Sequence, residues 1–189
     1  MKRIILGGIL AGIAMFMWEG LAHEVLPLGE AGIKGLPNEP PVLASIKDSV
    51  KESGFYIFPW MDTTPGLSKD QAMQKTMERA KAGPAGLMVV FPGGRDYPMG
   101  TLLGKQCGFD IVAMLIAAAM VSWAGVLKAF GGRVAFVTML GLFPTLSVDL
   151  PFNNWYGFPA TYTAAQFVVH LVGYLVGGLV IAVIVRPTR

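Results

Sequence analysis

Four stretches of this chain are apolar for long enough to cross a bilayer, and the long stretch between the first two is not. The four run over about Ile4–Leu26, Phe109–Phe130, Arg133–Leu150 and Tyr162–Val185. A spanning helix needs about 20 mostly apolar residues, because no water is present in the hydrocarbon core to satisfy its backbone groups. The pattern therefore predicts a membrane α-helical fold: four transmembrane helices, with a small exported α/β module inserted between helices one and two. The expected divisions are 1–27 for the first helix, 28–108 for the module and 109–189 for helices two to four.

Within 28–108 the pattern is that of short elements. Residues 27–41 are rich in Pro and Gly and predict a loop. Residues 41–52 predict a helix with Val42, Ile46 and Val50 on one face. Gly54 ends it, and Phe55-Tyr56-Ile57-Phe58 predicts a strand stopped by Pro59. Ser68 with Gln71 three residues later predicts a capping box, opening a helix that reaches Ala82 and stops at Gly83-Pro84. Leu87-Met88-Val89-Val90-Phe91 predicts a second strand, stopped by Pro92. A strand, a crossover helix and a strand normally pair in parallel, so a parallel pair with helices packed on one face is expected. Residues 93–108 return the chain to the membrane through Gly93-Gly94 and Gly104.

Composition agrees with the membrane reading. Hydrophobic residues make up 53% of the 189 and charged residues only 14%, against about 25% charged in soluble domains. The net charge of +3 is too small to suggest a nucleic-acid partner. One cysteine, Cys107, leaves no intramolecular disulfide and no multi-cysteine metal site.

Charge placement predicts direction. Outside 28–108 the basic residues are Lys2, Arg3, Lys128, Arg133, Arg186 and Arg189, all on one side of a four-span topology. The acids there are Glu19, Glu24, Asp110 and Asp149, all near the other. The positive-inside rule then puts both termini in the cytoplasm and residues 28–108 outside, in a periplasm-like space. Lys2, Arg3, the apolar run and the small residues Gly20 and Ala22 also fit a signal peptide; an uncleaved anchor is expected. Trp155, Tyr156 and Tyr162 predict an outer aromatic belt, and Trp123 an inner one.

Candidate chemistry lies in the outer half of the membrane region. Glu19 and His23 are four apart on one helix, Asp110 opens the second, Asp149 closes the third, and His170 lies two turns into the fourth. Glu19, His23, Asp149 and His170 are the candidate ligand or metal residues. Ionisable groups at membrane depth face the bundle interior and mark ion or proton pathways; His23 and His170 could also ligate a haem. The plainer alternative is that the acids are interfacial, Glu19–His23 is a local hydrogen bond, and His170 pairs with a neighbouring helix. Met61, Met73, Met77, Met88 and Met99 admit copper binding or simple packing. Gly8-x-x-x-Gly12 and Gly173-x-x-x-Gly177 are helix-packing faces, and at least one glycine face is expected to meet another polypeptide or a bound group. Gly93-Gly94-Arg95 lacks the spacing of a phosphate loop, and no catalytic constellation is present.

Trp18 to His23, Leu26-Pro27-Leu28-Gly29-Glu30, Leu36-Pro37-Asn38-Glu39, Tyr56-Ile57-Phe58-Pro59 and Asn154-Trp155-Tyr156-Gly157-Phe158-Pro159 together give the chain a likeness to a known group. It resembles uncharacterised bacterial inner-membrane proteins of unknown function. The resemblance implies the four-helix layout with an exported insert, and no functional residue.

The expected function is non-enzymatic: an accessory or scaffolding subunit of a larger membrane complex, with the bilayer and other membrane subunits as partners and no cofactor specified. The alternative is a redox, haem or metal-binding membrane protein using the Glu/His/Asp cluster. A third is a small carrier or sensor whose exported module binds a ligand.

Overall fold

The computed structural model describes residues 1–186. Arg189 of the basic set lies outside the described residues. The chain forms two compact units, one of residues 1–34 and 97–189 and one of residues 35–96.

The first unit is a helical bundle. Helix α1 spans Lys2–Glu24, α4 Met99–Trp123, α5 Phe130–Tyr156 and α6 Ala160–Ile184. These four helices are long and apolar enough to cross a membrane. At 1.5 Å rise per residue, even the 23 residues of α1 exceed the roughly 30 Å hydrocarbon core. Helix α1 lies between α4 and α6, and α6 packs on to α5. The core is small and apolar, built around Ala11, Met114, Ala118, Val121, Val137 and Ile181.

Close approach depends on glycine. A Cβ on Gly12 would overlap the backbone of Ile111, and one on Gly8 would lie 2.7 Å from Leu115 Cα, so both let α1 press against α4. Gly173 makes room for Trp18, whose indole Nε1 donates to the carbonyl of Val169 at 3.0 Å and ties α1 to α6. Gly177 faces Met114 of α4, and Gly178 faces Val137 of α5. At least one of these glycine faces was expected to meet another polypeptide or a bound group; Gly8, Gly12, Gly173 and Gly177 instead all meet neighbouring helices within the bundle.

Helix α4 begins at Met99, well before the expected position 109. Its first three turns carry Thr101, Lys105 and Gln106, which lower the hydropathy without opposing a helix. Asp110 consequently sits in mid-helix and is buried, where a helix-opening residue was expected. Helix α5 also runs past its expected end at Leu150 to Tyr156, where Gly157 (φ 71°) supplies the left-handed cap. Phe158 N–H returns to the carbonyl of Phe152, and Asn153 Nδ2 donates to that of Phe158. Residues 153–156, beyond the end expected for the third span, are helical. Rings of Phe152, Phe158 and Tyr162 then meet edge to face at 5.3 and 5.5 Å. Between Pro144 and Pro151 the helix widens into a π turn, Thr145–Asp149. Two prolines seven residues apart each remove a helical N–H, which relaxes the ladder at that point.

The second unit holds α2 (Glu39–Ser49), β1 (Gly54–Phe58), α3 (Lys69–Ala82) and β2 (Gly86–Val90). Pro40 and Pro41 open α2, where their missing N–H groups cost nothing. Ser68 and Gln71 form the complete capping box at the start of α3. The strands pair antiparallel, with Phe55 opposite Val89 and Ile57 opposite Leu87. This corrects the parallel expectation, and the cause is the length of segment 59–68. Asp62 N–H donates to Thr76 Oγ1 at 3.1 Å and Arg79 reaches the carbonyl of Trp60. The chain therefore leaves β1 beside the C-terminal half of α3 and runs along it to the cap at Ser68. The helix then returns it to the end it left, and β2 must run backwards along β1. The helices cover little of the sheet: in residues 35–96 only Ala72 and Val90 are buried.

Candidate functional site

The bundle holds two polar groupings within helices long and apolar enough to cross a membrane. The first joins α1 to α4. Gln106 Nε2 donates to Glu19 Oε2 at 2.9 Å and to Asp110 Oδ1 at 3.0 Å. Gln106 and Asp110 are four apart on α4, hence on one face. One amide nitrogen thus holds the carboxyls of two helices as neighbours. Asp110 is 3% exposed, and its Oδ2 is buried without a hydrogen-bond partner. Tyr174 of α6 lies within electrostatic reach of both acids.

The second grouping joins α5 to α6 at the π turn. His170 Nε2 lies 3.3 Å from Asp149 Oδ2. Thr145, four residues before Asp149, is also buried, and its hydroxyl has no hydrogen-bond partner. The π turn sets Thr145 and Asp149 on the side of the helix that meets α6. Gly141, in the preceding turn, allows a close approach there: a Cβ on it would lie 2.9 Å from the carbonyl of His170 and 2.8 Å from the Cβ of Tyr174.

The four residues proposed from sequence do not converge as one ligand set. Glu19 turns to Gln106 and Asp110, while Asp149 and His170 pair with each other. His23 is exposed; its Nδ1 lies 2.9 Å from the carbonyl of Glu19, one turn back, and Gly29 packs against its ring. Glu24 is exposed. The two histidines are engaged separately, and among the described residues no group of three or more His, Cys, Asp or Glu could hold a metal ion. Met73 and Met77 are 45% and 58% exposed on α3, so they do not fill a core.

Two residues of consequence were outside the sequence reading of the site. Gln106 carries no charge, but its spacing of four from Asp110 was a visible signal. The sequence marks Arg133 only as a charge on the basic side of the topology. In the structure it is buried and hydrogen-bonded to the carbonyls of Leu127, Lys128 and Ala182.

Fold and polar groupings together define a helical bundle whose four long helices are apolar enough to cross a membrane, with carboxyl groups held inside it. Comparison of the chain with protein-family models, with curated proteins and with solved structures returned no match.

Proposed function

We propose that this protein is a non-enzymatic accessory or scaffolding subunit of a larger complex in a bacterial inner membrane. On this reading both termini are cytoplasmic, and residues 28–108 are extracytoplasmic and dock on the exported surface of another subunit. The observation that supports it is the uncovered apolar surface of the module. Phe55, Ile57 and Val89 lie on one face of the two-stranded sheet and are 56%, 39% and 60% exposed, with Trp60 beside them in sequence at 67%. A two-stranded sheet needs an apolar partner to be stable in water, and exposed apolar patches mark interaction surfaces. Covering the exposed half of three such side chains supplies about 2–4 kcal/mol before ordering costs.

Charge favours a protein over a lipid surface as the partner. Residues 35–96 carry seven basic and seven acidic side chains, so nothing draws them electrostatically to anionic headgroups. Topology is tested by single cysteines. One placed at position 70 is expected to react with an impermeant thiol reagent added outside, and one at 131 is not; the reverse pattern overturns the orientation.

Docking is tested by extraction in mild detergent. The wild-type chain is expected to travel with one stoichiometric second polypeptide. The Phe55→Ser, Val89→Ser double variant is expected to remain inserted and travel alone. Retention of the partner by that variant, or binding of the wild-type module to protein-free anionic vesicles, defeats the proposal.

A further inference from the structure

The grouping between α1 and α4 poses a charge problem that its geometry also solves. Two carboxyls from different helices accept from the same amide nitrogen of Gln106. Neither is set beside a Lys, Arg or His cation among the described residues; the His170–Asp149 contact is a separate grouping. Two neighbouring carboxylates without a cation repel each other strongly where water is scarce. Gln106 offsets this only in part, because its amide carries no net charge. The unpartnered Asp110 Oδ2 is the second sign. An ionised carboxylate oxygen at 3% residue exposure with no donor is rare, since buried charged groups are normally paired and hydrogen-bonded.

We infer that Glu19 and Asp110 hold one proton between them, forming a proton-binding site inside the membrane bundle. The proton converts one carboxyl from acceptor to donor, which supplies the missing partner and removes one of the two charges. Gln106 positions the pair by fixing one oxygen of each.

Access to the site is one-sided. Exposure falls from Gln106, which is exposed, through half-buried Glu19 to buried Asp110. Beyond Asp110 toward the C-terminal end of α4 lies the sealed apolar cluster of Met114, Ala118, Val121, Val137 and Ile181. Asp110 itself is level with Gly12, halfway along α1, because Gly12 abuts Ile111. The proton therefore enters from the end of the bundle that carries Glu24 and stops at mid-span. The other titratable side chain within electrostatic reach of both acids is Tyr174 from α6. This proposal is independent of the docking of the module.

The test is infrared spectroscopy of the full chain in lipid. At neutral pH the wild-type protein is expected to show the C=O stretch of a protonated carboxyl, shifting in D2O. Glu19→Gln and Asp110→Asn are each expected to remove it, and Asp149→Asn to leave it in place. If one variant does not fold, the other and the wild-type spectrum still decide. No protonated carboxyl at neutral pH, or a band that survives both substitutions, overturns the inference. So does a band that disappears at constant pH when Na⁺, K⁺ or Ca²⁺ is added, because a metal ion would then be the occupant.

Discussion

Arg133 of α5 donates from Nε and Nη2 to the carbonyl of Ala182 in the last turn of α6, at 3.2 and 3.0 Å. The last four carbonyls of a helix have no partner within it. Arg133 satisfies one, and its Nη1 reaches Lys128 O at 2.6 Å and Leu127 O at 3.3 Å in the turn between α4 and α5. One planar guanidinium thereby closes three chain segments. Arg133→Leu is expected to lower stability by about 3 kcal/mol, the scale of losing charged hydrogen bonds and leaving buried carbonyls. Arg133→Lys is expected to recover less than half, since a single ammonium cannot reproduce the fork. Thermal unfolding in detergent measures both, and equal midpoints for Arg133→Lys and the wild type would show that charge alone matters.

The glycines divide by what their missing side chains would meet. At Gly12 the obstacle is the backbone of Ile111, which cannot move without separating α1 from α4. At Gly177 it is the thioether of Met114, which can rotate away. Nothing lies within 4 Å of a Cβ on Gly104. Gly12→Ala is expected to destabilise by about 1–3 kcal/mol, Gly177→Ala by less, and Gly104→Ala by nothing measurable. A ranking with Gly177 worst would mean that Met114 is as immobile as backbone. Because these faces pack internally, a bulky residue at Gly177 acts on the bundle itself before it acts on any partner.

In the module, Asp62 is held by Thr64. The Thr64 hydroxyl and then its backbone N–H donate to Asp62 Oδ1, at 2.6 and 2.9 Å. Both donors favour the ionised form and hold the Asp62 carboxyl below the ordinary aspartate value. A depressed folded value contributes stability above the unfolded value and loses it as pH falls through the folded one. Segment 62–64 should therefore keep its turn down to about pH 4 and loosen only below it. Thr64→Val is expected to bring the Asp62 titration up toward ordinary aspartate. Carbon-13 resonance of the carboxyl reads this directly, and an unchanged titration in Thr64→Val would remove the hydroxyl as a cause.

How much of this was legible follows from the range of each interaction. The spanning helices rest on local apolar runs, and the capping box of Ser68 and Gln71 on four consecutive residues, so both were readable. Strand direction was not, because it depends on where segment 59–68 lies along α3, a contact fixed by Asp62 and Thr76. The start of α4 was hidden because hydropathy registers Lys105 and Gln106 as an ending, although both are good helix formers. The π turn has no periodic signature at all. For the polar residues, the plainer alternative had His170 meeting a neighbouring helix and His23 bonded locally to Glu19, as the structure has them, but the Gln106 bridge from Glu19 to Asp110 was not foreseen. Which helix faces which is set by Gly8, Gly12 and Gly173, whose neighbours are over 90 residues away in sequence. That turned Glu19 toward Asp110 and left His23 outside.

The remaining prediction separates a structural pair from an idle contact. Asp149 and His170 meet across α5 and α6 with side-chain exposures of 10% and 24%. If the contact balances the Asp149 carboxyl, His170→Phe alone leaves that group without its partner and is expected to cost about 3–5 kcal/mol. Asp149→Leu together with His170→Phe removes both polar groups and should recover most of that loss, so the two changes couple by a kilocalorie or more. Thr145 provides the contrast on the same turn. Its buried hydroxyl has no hydrogen-bond partner, so Thr145→Val deletes an unsatisfied group at nearly constant volume and is expected to be neutral or stabilising. Unfolding of the wild type, the single variants Asp149→Leu and His170→Phe, their double variant and Thr145→Val in one detergent gives the whole comparison. Additive losses from Asp149→Leu and His170→Phe would show that the 3.3 Å contact carries no interaction energy. A clear loss from Thr145→Val would show that its hydroxyl is bonded in the membrane, and that the π turn holds a polar partner inside the bundle.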